Sequence, residues 1–300
     1  MPGSGPGGVT GGAVRSLAMS DHRLPRHALP RHYTLELKPD MDDYTFAGTV
    51  AIDVDVVEAT DRIVMNAADL VVQEASILVA GERSPVSVSM DGSAERLVLT
   101  TVDRIRPGRV RLELAFTGVL NDRLRGFYRS TLVGADGVER TIATTQFQST
   151  DARRAFPCFD EPDMKASFGI TLVVPEELLA VSNGAEVSRT SLEDGTDRVV
   201  FADTIALSTY LVAFVVGPLE ATDPIHVDGV PVRIIHPPGR ADQTAFALEV
   251  AAHSLRWLAD WYDIAVPGGK VDLVALPDFA FGAMENLGCI TFREVLLLVD

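Results

Sequence analysis

From Tyr33 onward apolar residues recur at every second position, the period of a strand that sets one face on a core and the other toward water. Phe46, Val50, Ile52, Val54 and Val56 alternate with Thr45, Thr49, Ala51, Asp53 and Asp55, and Val110, Leu112, Leu114 and Phe116 alternate with Arg111, Glu113 and Ala115. Phe168, Ile170, Leu172 and Val174 repeat the pattern up to Pro175, and Ser182-Asn183-Gly184 reads as a turn. Many short strands with no helical stretch between them predict an antiparallel β-sandwich or saddle. Tyr210 to Val216 is apolar on both faces and suits a central, doubly covered strand, stopped by Gly217-Pro218. A first domain is therefore placed at 21–218.

Beyond Pro218 the period changes. A short strand, Val230 to Ile235, precedes Pro237-Pro238-Gly239 and a helical stretch from about Asp242 to Tyr262. Ala247, Ala251, Leu255, Leu258 and Tyr262 fall on one face, widened by Phe246, Val250, Trp257 and Trp261, so the helix is expected to be buried over a broad side. Pro267-Gly268-Gly269 ends that unit, and Lys270 to Leu276 reads as the next strand. Strand, helix, strand is the opening of an α/β layer, so 219–300 is expected to begin a second domain of another class.

Composition narrows the partners. With 47% hydrophobic and 23% charged residues the chain has a globular profile. Its 26 basic and 42 acidic residues give a formal net charge of −16, the wrong sign for neutralising phosphates, so nucleic acid is not an expected partner. The run Tyr210 to Val216 is the longest apolar one and falls far short of the roughly 20 residues that cross a bilayer, so no membrane partner is expected. Cys158 and Cys289 form no disulfide framework and read as two separate thiols in a reducing compartment. The Gly- and Pro-rich start has no signal-peptide core, so 1–20 reads as a flexible tail and the location as cytoplasmic.

The most informative segment is Pro277 to Gly288, which contains Gly282-Ala283-Met284-Glu285-Asn286. This pentapeptide resembles the exopeptidase motif of the zinc aminopeptidases related to aminopeptidase N. The stretch Thr145 to Pro162, followed by Met164-Lys165-Ala166-Ser167-Phe168, is similar to one those enzymes carry at the edge of their first domain, and the likeness runs from about Leu24 to Asp300. It implies a thermolysin-like α/β catalytic domain beginning after the β-sandwich, zinc as the cofactor of the full-length enzyme, and peptides with a free N-terminus as substrates.

The chemistry shows why such residues are wanted. An aminopeptidase must grip a free α-ammonium and set the first peptide bond at the metal; Glu285 can pair with that ammonium while the main chain of Gly282 and Ala283 lies along the substrate like an added strand. Glycine allows the close approach. Met284 and Asn286 complete the substrate-binding set. By the same resemblance Gln148 offers a second anchor, Gln146 lines the pocket for the first side chain, and the peptide after Gln148 is strained and a candidate for cis; an ordinary surface amide remains the alternative for both glutamines. Arg153, Arg154, Asp160 and Glu161 read as a charge network fixing the domain junction, and Phe156, Phe159 and Phe168 as core.

No catalytic or metal residue is expected in this chain. His22, His27, His32, His226, His236 and His253 include no H-E-x-x-H, the helical spacing through which the relatives bind zinc. The chain is read as ending before that helix, so alone it is expected to be inactive, to bind no catalytic zinc, to lack the remaining catalytic and helical domains as partners, and to leave Val295 to Val299 as an exposed apolar patch. Two rivals stand beside this reading. The epoxide-opening relatives carry glycine where Ala283 stands, and a non-catalytic scaffold would have no use for the ammonium anchor Glu285.

Overall fold

The computed structural model describes residues 23–134 and 136–299, so the tail read for 1–20, and His22, lie outside the described residues. The alternating segments become the strands of an 8-stranded sheet whose order is Glu186–Ser191, Thr196–Phe201, Ser167–Pro175, Ala28–Asp40, Thr45–Val56, Gly108–Val119, Leu70–Val79 and Glu82–Pro85. The registers explain why the alternation works. Leu35 pairs with Val50 and Val50 with Leu114, while Tyr33 pairs with Ile52 and Ile52 with Leu112, so apolar side chains stack across strands on one face. All of these are buried. Ala28–Asp40 runs parallel to Ser167–Pro175, a departure from a purely antiparallel sheet. Gly48 belongs there because a Cβ would lie 2.6 Å from the Phe116 ring.

A 4-stranded sheet, ordered Leu179–Ser182, Phe214–Gly217, Glu139–Gln146 and Gly126–Val133, shares this core, together with a 3-stranded sheet of Thr60–Asn66, Arg96–Ile105 and Ser87–Asp91. Between the layers Tyr33 stacks on Phe168 at 4.6 Å, and Phe156 and Phe214 make edge contacts with Phe147. Phe156, Phe159 and Phe168 are fully buried, as read from the sequence. Both cysteines are buried and unpaired, and burial pushes the Cys289 thiol up to about 12.

The central strand expected over Tyr210 to Val216 is shorter than its apolar run. Thr209–Leu211 is a 3₁₀ turn and the strand is Phe214–Gly217. The Asn183 side chain accounts for the difference, because its Oδ1 accepts from Ala213 N at 2.9 Å and its Nδ2 donates to Leu211 O at 2.8 Å, replacing ladder bonds.

A 6-stranded sheet follows, ordered Glu220–Ala221, Val230–His236, Val271–Leu276, Cys289–Arg293 and Ala283–Met284, with Ile225–Val227 paired to Val230–His236. Its three long neighbours are parallel, and the helix Ala245–Tyr262 makes the crossover between two of them. The broad burial expected for this helix is not found: only Ala247 and Ala252 are buried, while Phe246, Val250, Trp257, Leu258, Trp261 and Tyr262 are exposed. The sheet takes one narrow side of the helix, and no other element among the described residues covers the remainder. The helix stops at Asp263, which takes the left-handed conformation (φ 52°), ahead of Pro267. Val295, Leu296 and Val299 are exposed as expected, but Leu297 and Leu298 turn onto the sheet and are buried.

Candidate functional site

The Gly282–Asn286 segment lies in a connection between two parallel strands, Val271–Leu276 and Cys289–Arg293, whose ends are fixed by the sheet. Its entrance is bonded to the 4-stranded sheet. Asp278 Oδ2 accepts from Thr131 N at 2.9 Å and from Ser130 Oγ at 3.2 Å, while Asp278 O accepts from the Tyr128 hydroxyl at 2.9 Å. Burial and the Asp278 charge both push the Tyr128 phenol upward, so it stays a neutral donor. Arg293 braces the same end. Its guanidinium donates to Phe279 O at 3.0 Å and Ala280 O at 3.2 Å, and its N–H donates to Gly282 O at 3.0 Å.

The segment then runs as an edge. Ala283 pairs with Phe292 and Met284 with Thr291, and the outer edge of Ala283–Met284 pairs with no strand among the described residues. Met284 is buried in one apolar cluster with Leu276, Phe279, Val215 and Ile142, drawn from both sheets. Asn286 is buried too. Its side chain donates to Thr291 Oγ1 at 3.3 Å, and its carbonyl accepts from Cys289 N at 3.1 Å, closing a tight turn. Glu285, between these two inward residues, is exposed and has no hydrogen-bond or ion-pair partner among the described residues. The alternation is that of a strand, and it aims the carboxylate outward.

Gln146 and Gln148 come from the neighbouring sheet. Gln146 ends the strand Glu139–Gln146, opposite Gly126 on the strand that also binds Asp278. It is 2% exposed, with neither amide atom hydrogen-bonded, so it is not an ordinary surface amide; Thr144 Oγ1, two residues earlier on the same face, is also unpartnered. Gln148 is exposed and the Gln148–Ser149 peptide is cis. No hydrogen bond joins Glu285 to either glutamine.

The charge network departs from its expected place. Arg153 Nε donates to Asp160 Oδ2 at 2.9 Å and Arg153 Nη1 to Glu95 Oε2 at 3.1 Å, Thr209 Oγ1 donates to Asp160 Oδ1 at 2.6 Å, and Glu161 accepts from Leu24 N. All these partners lie before residue 218, so the network pins the segment after Gln148 to the N-terminal sheets and does not reach the 6-stranded one. The bonds that do cross come from residues to which the sequence reading assigned no role: Lys270, Asn183 and Asp278. Asn183 lies in the Ser182-Asn183-Gly184 turn signal, Lys270 opens the expected strand and Asp278 lies in the Pro277 to Gly288 segment, but nothing in the one-dimensional pattern pairs them with partners across the seam.

Among the described residues no group of three or more His, Cys, Asp or Glu is arranged to hold a metal ion. These residues do not make a zinc site. Nor is any helix among them long and apolar enough to cross a membrane.

The peptidase M1 N-terminal domain model matches residues 29–211 and the peptidase family M1 domain model residues 246–300. The chain is 41% identical over 288 residues to the puromycin-sensitive aminopeptidase of Caenorhabditis elegans, covering 95% of this chain and 30% of that protein. It is 44% identical over 287 residues to aminopeptidase M1 of Arabidopsis thaliana (93% and 32%) and 35% identical over 285 to the alanine/arginine aminopeptidase of Saccharomyces cerevisiae (94% and 33%). It thus spans about a third of the length of these relatives. With the N-terminal domain model over residues 29–211, more than half of the chain, and the peptidase domain model over residues 246–300, this chain belongs to peptidase family M1.

Proposed function

We propose that this chain is the substrate-anchoring part of an aminopeptidase that releases N-terminal residues from peptides. The observation that carries the reading is Glu285: an exposed, unpartnered carboxylate on a segment whose flanking residues are all turned inward or bonded. A carboxylate free of intramolecular partners is available to an α-ammonium, and the open edge of Ala283–Met284 can take a peptide backbone alongside. Gly282 and Ala283 supply that edge, Met284 and Asn286 hold it from beneath, Gln148 adds a neutral acceptor, and Gln146 lines the first side-chain pocket. A tethered ammonium admits only the first peptide bond to the reacting centre, which restricts cleavage to the N-terminal residue. We read zinc as the cofactor of the whole protein, held by residues beyond those described, and no step of the hydrolysis is assigned to this chain.

The test is Glu285→Ala in a protein carrying this chain with its native downstream sequence. Turnover of aminoacyl anilides should fall about 10- to 100-fold, the loss of one charge-assisted bond, at unchanged zinc content. Undiminished turnover would remove Glu285 from this role. The two buried, unpaired thiols favour a reducing compartment, and we place the protein in the cytoplasm; recovery outside the cytosolic fraction would overturn that.

A further inference from the structure

Where the 6-stranded sheet meets the N-terminal sheets there is a buried ammonium. Lys270 is 5% exposed, and its Nζ donates to Ser182 O at 2.6 Å, Gly288 O at 2.7 Å and Asp272 Oδ2 at 2.7 Å. An ammonium has three N–H donors, and here each has one acceptor, so the group is saturated. Its charge is balanced by Asp272, which Arg233 grips with two bonds at 2.7 and 3.2 Å. The three acceptors belong to three different pieces of the molecule: Ser182 to the 4-stranded sheet, Asp272 to the strand Val271–Leu276 that Lys270 leads into, and Gly288 to the end of the loop that bears Glu285.

We propose that Lys270 is a positioning residue for the Glu285 loop, setting that loop in register against the N-terminal sheets through its bond to Gly288. The inference rests on the reading of Glu285 as ammonium anchor. Two neighbours share the seam. Asn183 Nδ2 donates to Leu287 O at 2.8 Å, and Gly288, at φ +69°, lies so close that a Cβ would meet Asn183 O at 2.3 Å. Gly288 O also accepts from Asp272 N at 3.0 Å. With Asp278 and Arg293 holding residues 278–282 at the other end, Glu285 sits between two clamps, and Lys270 is the charged member of the second. Bonds from a buried charge are strong because little water competes for them, and a bidentate guanidinium could not reproduce three diverging bonds. A carboxylate that must meet a ligand ammonium within a few tenths of an ångström needs such support.

Lys270→Met keeps the length and removes the donors. In the 300-residue chain, hydrogen exchange at the amides of Asp272, Cys289 and Arg293 should speed up about 10-fold or more, with the amides of the Ala28–Asp40 strand unchanged. Unchanged exchange at the seam overturns the proposal. In the protein with its downstream sequence, Lys270→Met should lower kcat/KM for aminoacyl anilides about 10-fold, mostly through KM, and should add less than about 2-fold when placed on Glu285→Ala. The same loss on both backgrounds overturns the positioning role. Should Glu285→Ala leave turnover intact, the anchor reading fails by itself, and the exchange result alone then decides whether Lys270 ties the loop. Lys270→Gln keeps two donors and should fall between Lys270→Met and the unaltered chain. A chain that folds with neither substitution would make Lys270 a residue of global stability and end the proposal.

Discussion

The N-terminal sheets and the 6-stranded sheet bury their apolar residues in different ways. In the first, Tyr33, Phe156, Phe168 and their neighbours are enclosed by strands on both sides, and each alternating position finds a cross-strand partner. In the second, the sheet strands are covered, yet the helix Ala245–Tyr262 leaves Trp257 and Trp261 stacked on each other at 5.3 Å in the open, Trp261 being 69% exposed. The contrast shows that local amphipathicity says which residues want cover, while cover itself depends on what folds alongside. It also explains how a rigid loop can stand on a half-covered sheet. The loop draws its support from the enclosed region across the seam, through Asp278, Asn183 and Lys270.

That difference can be broken at several levels. Phe156→Ala, in the enclosed core, should cost about 3–5 kcal/mol in urea unfolding of the 300-residue chain, by transfer plus cavity terms. A loss below about 1 kcal/mol would show that this core is not close-packed. Arg153→Ala should cost nearly as much, about 3 kcal/mol, because the buried Asp160 carboxylate would lose its ion-pair partner and keep only Thr209 Oγ1 and the backbone N–H of residue 153. Gly288→Ala places a methyl against Asn183 O at a left-handed φ, and about 1–3 kcal/mol of destabilisation is expected, seen first as faster exchange at the seam. Trp261→Ala, on the uncovered helix, should change stability by less than about 0.5 kcal/mol while reducing binding of an apolar dye. A large loss there would mean that the helix face is covered after all.

Thiol chemistry offers a further measurement. Because burial raises Cys289 to about 12 and holds Cys158 higher than usual, both stay protonated between pH 7 and 10 in the folded chain, where an unfolded thiol would ionise. Alkylation should therefore be slow across that range and track unfolding. The sign for stability follows, since a raised folded value means stability declines as pH climbs above about 8.5. Rapid labelling of the native chain at pH 8 would contradict the burial of both residues.

Much of this molecule was legible in its one-dimensional pattern. Alternation at Phe46–Val56 and Val110–Phe116 named the buried faces, since a strand's period is set by its own backbone. The Gly282–Asn286 segment pointed to Glu285, whose side chain the strand-like alternation of its neighbours turns outward. The extent of the Phe214–Gly217 strand, the cover of the helix and the partners of Arg153 were decided elsewhere. So were the clamps on the loop: Lys270 reaches Ser182 across 88 residues and Asp278 reaches Ser130 across 148. Periodicity is a local property, fixed by the turn of the backbone from one residue to the next. Which buried polar group meets which carbonyl depends on how distant strands come to lie side by side, and only the folded chain determines that.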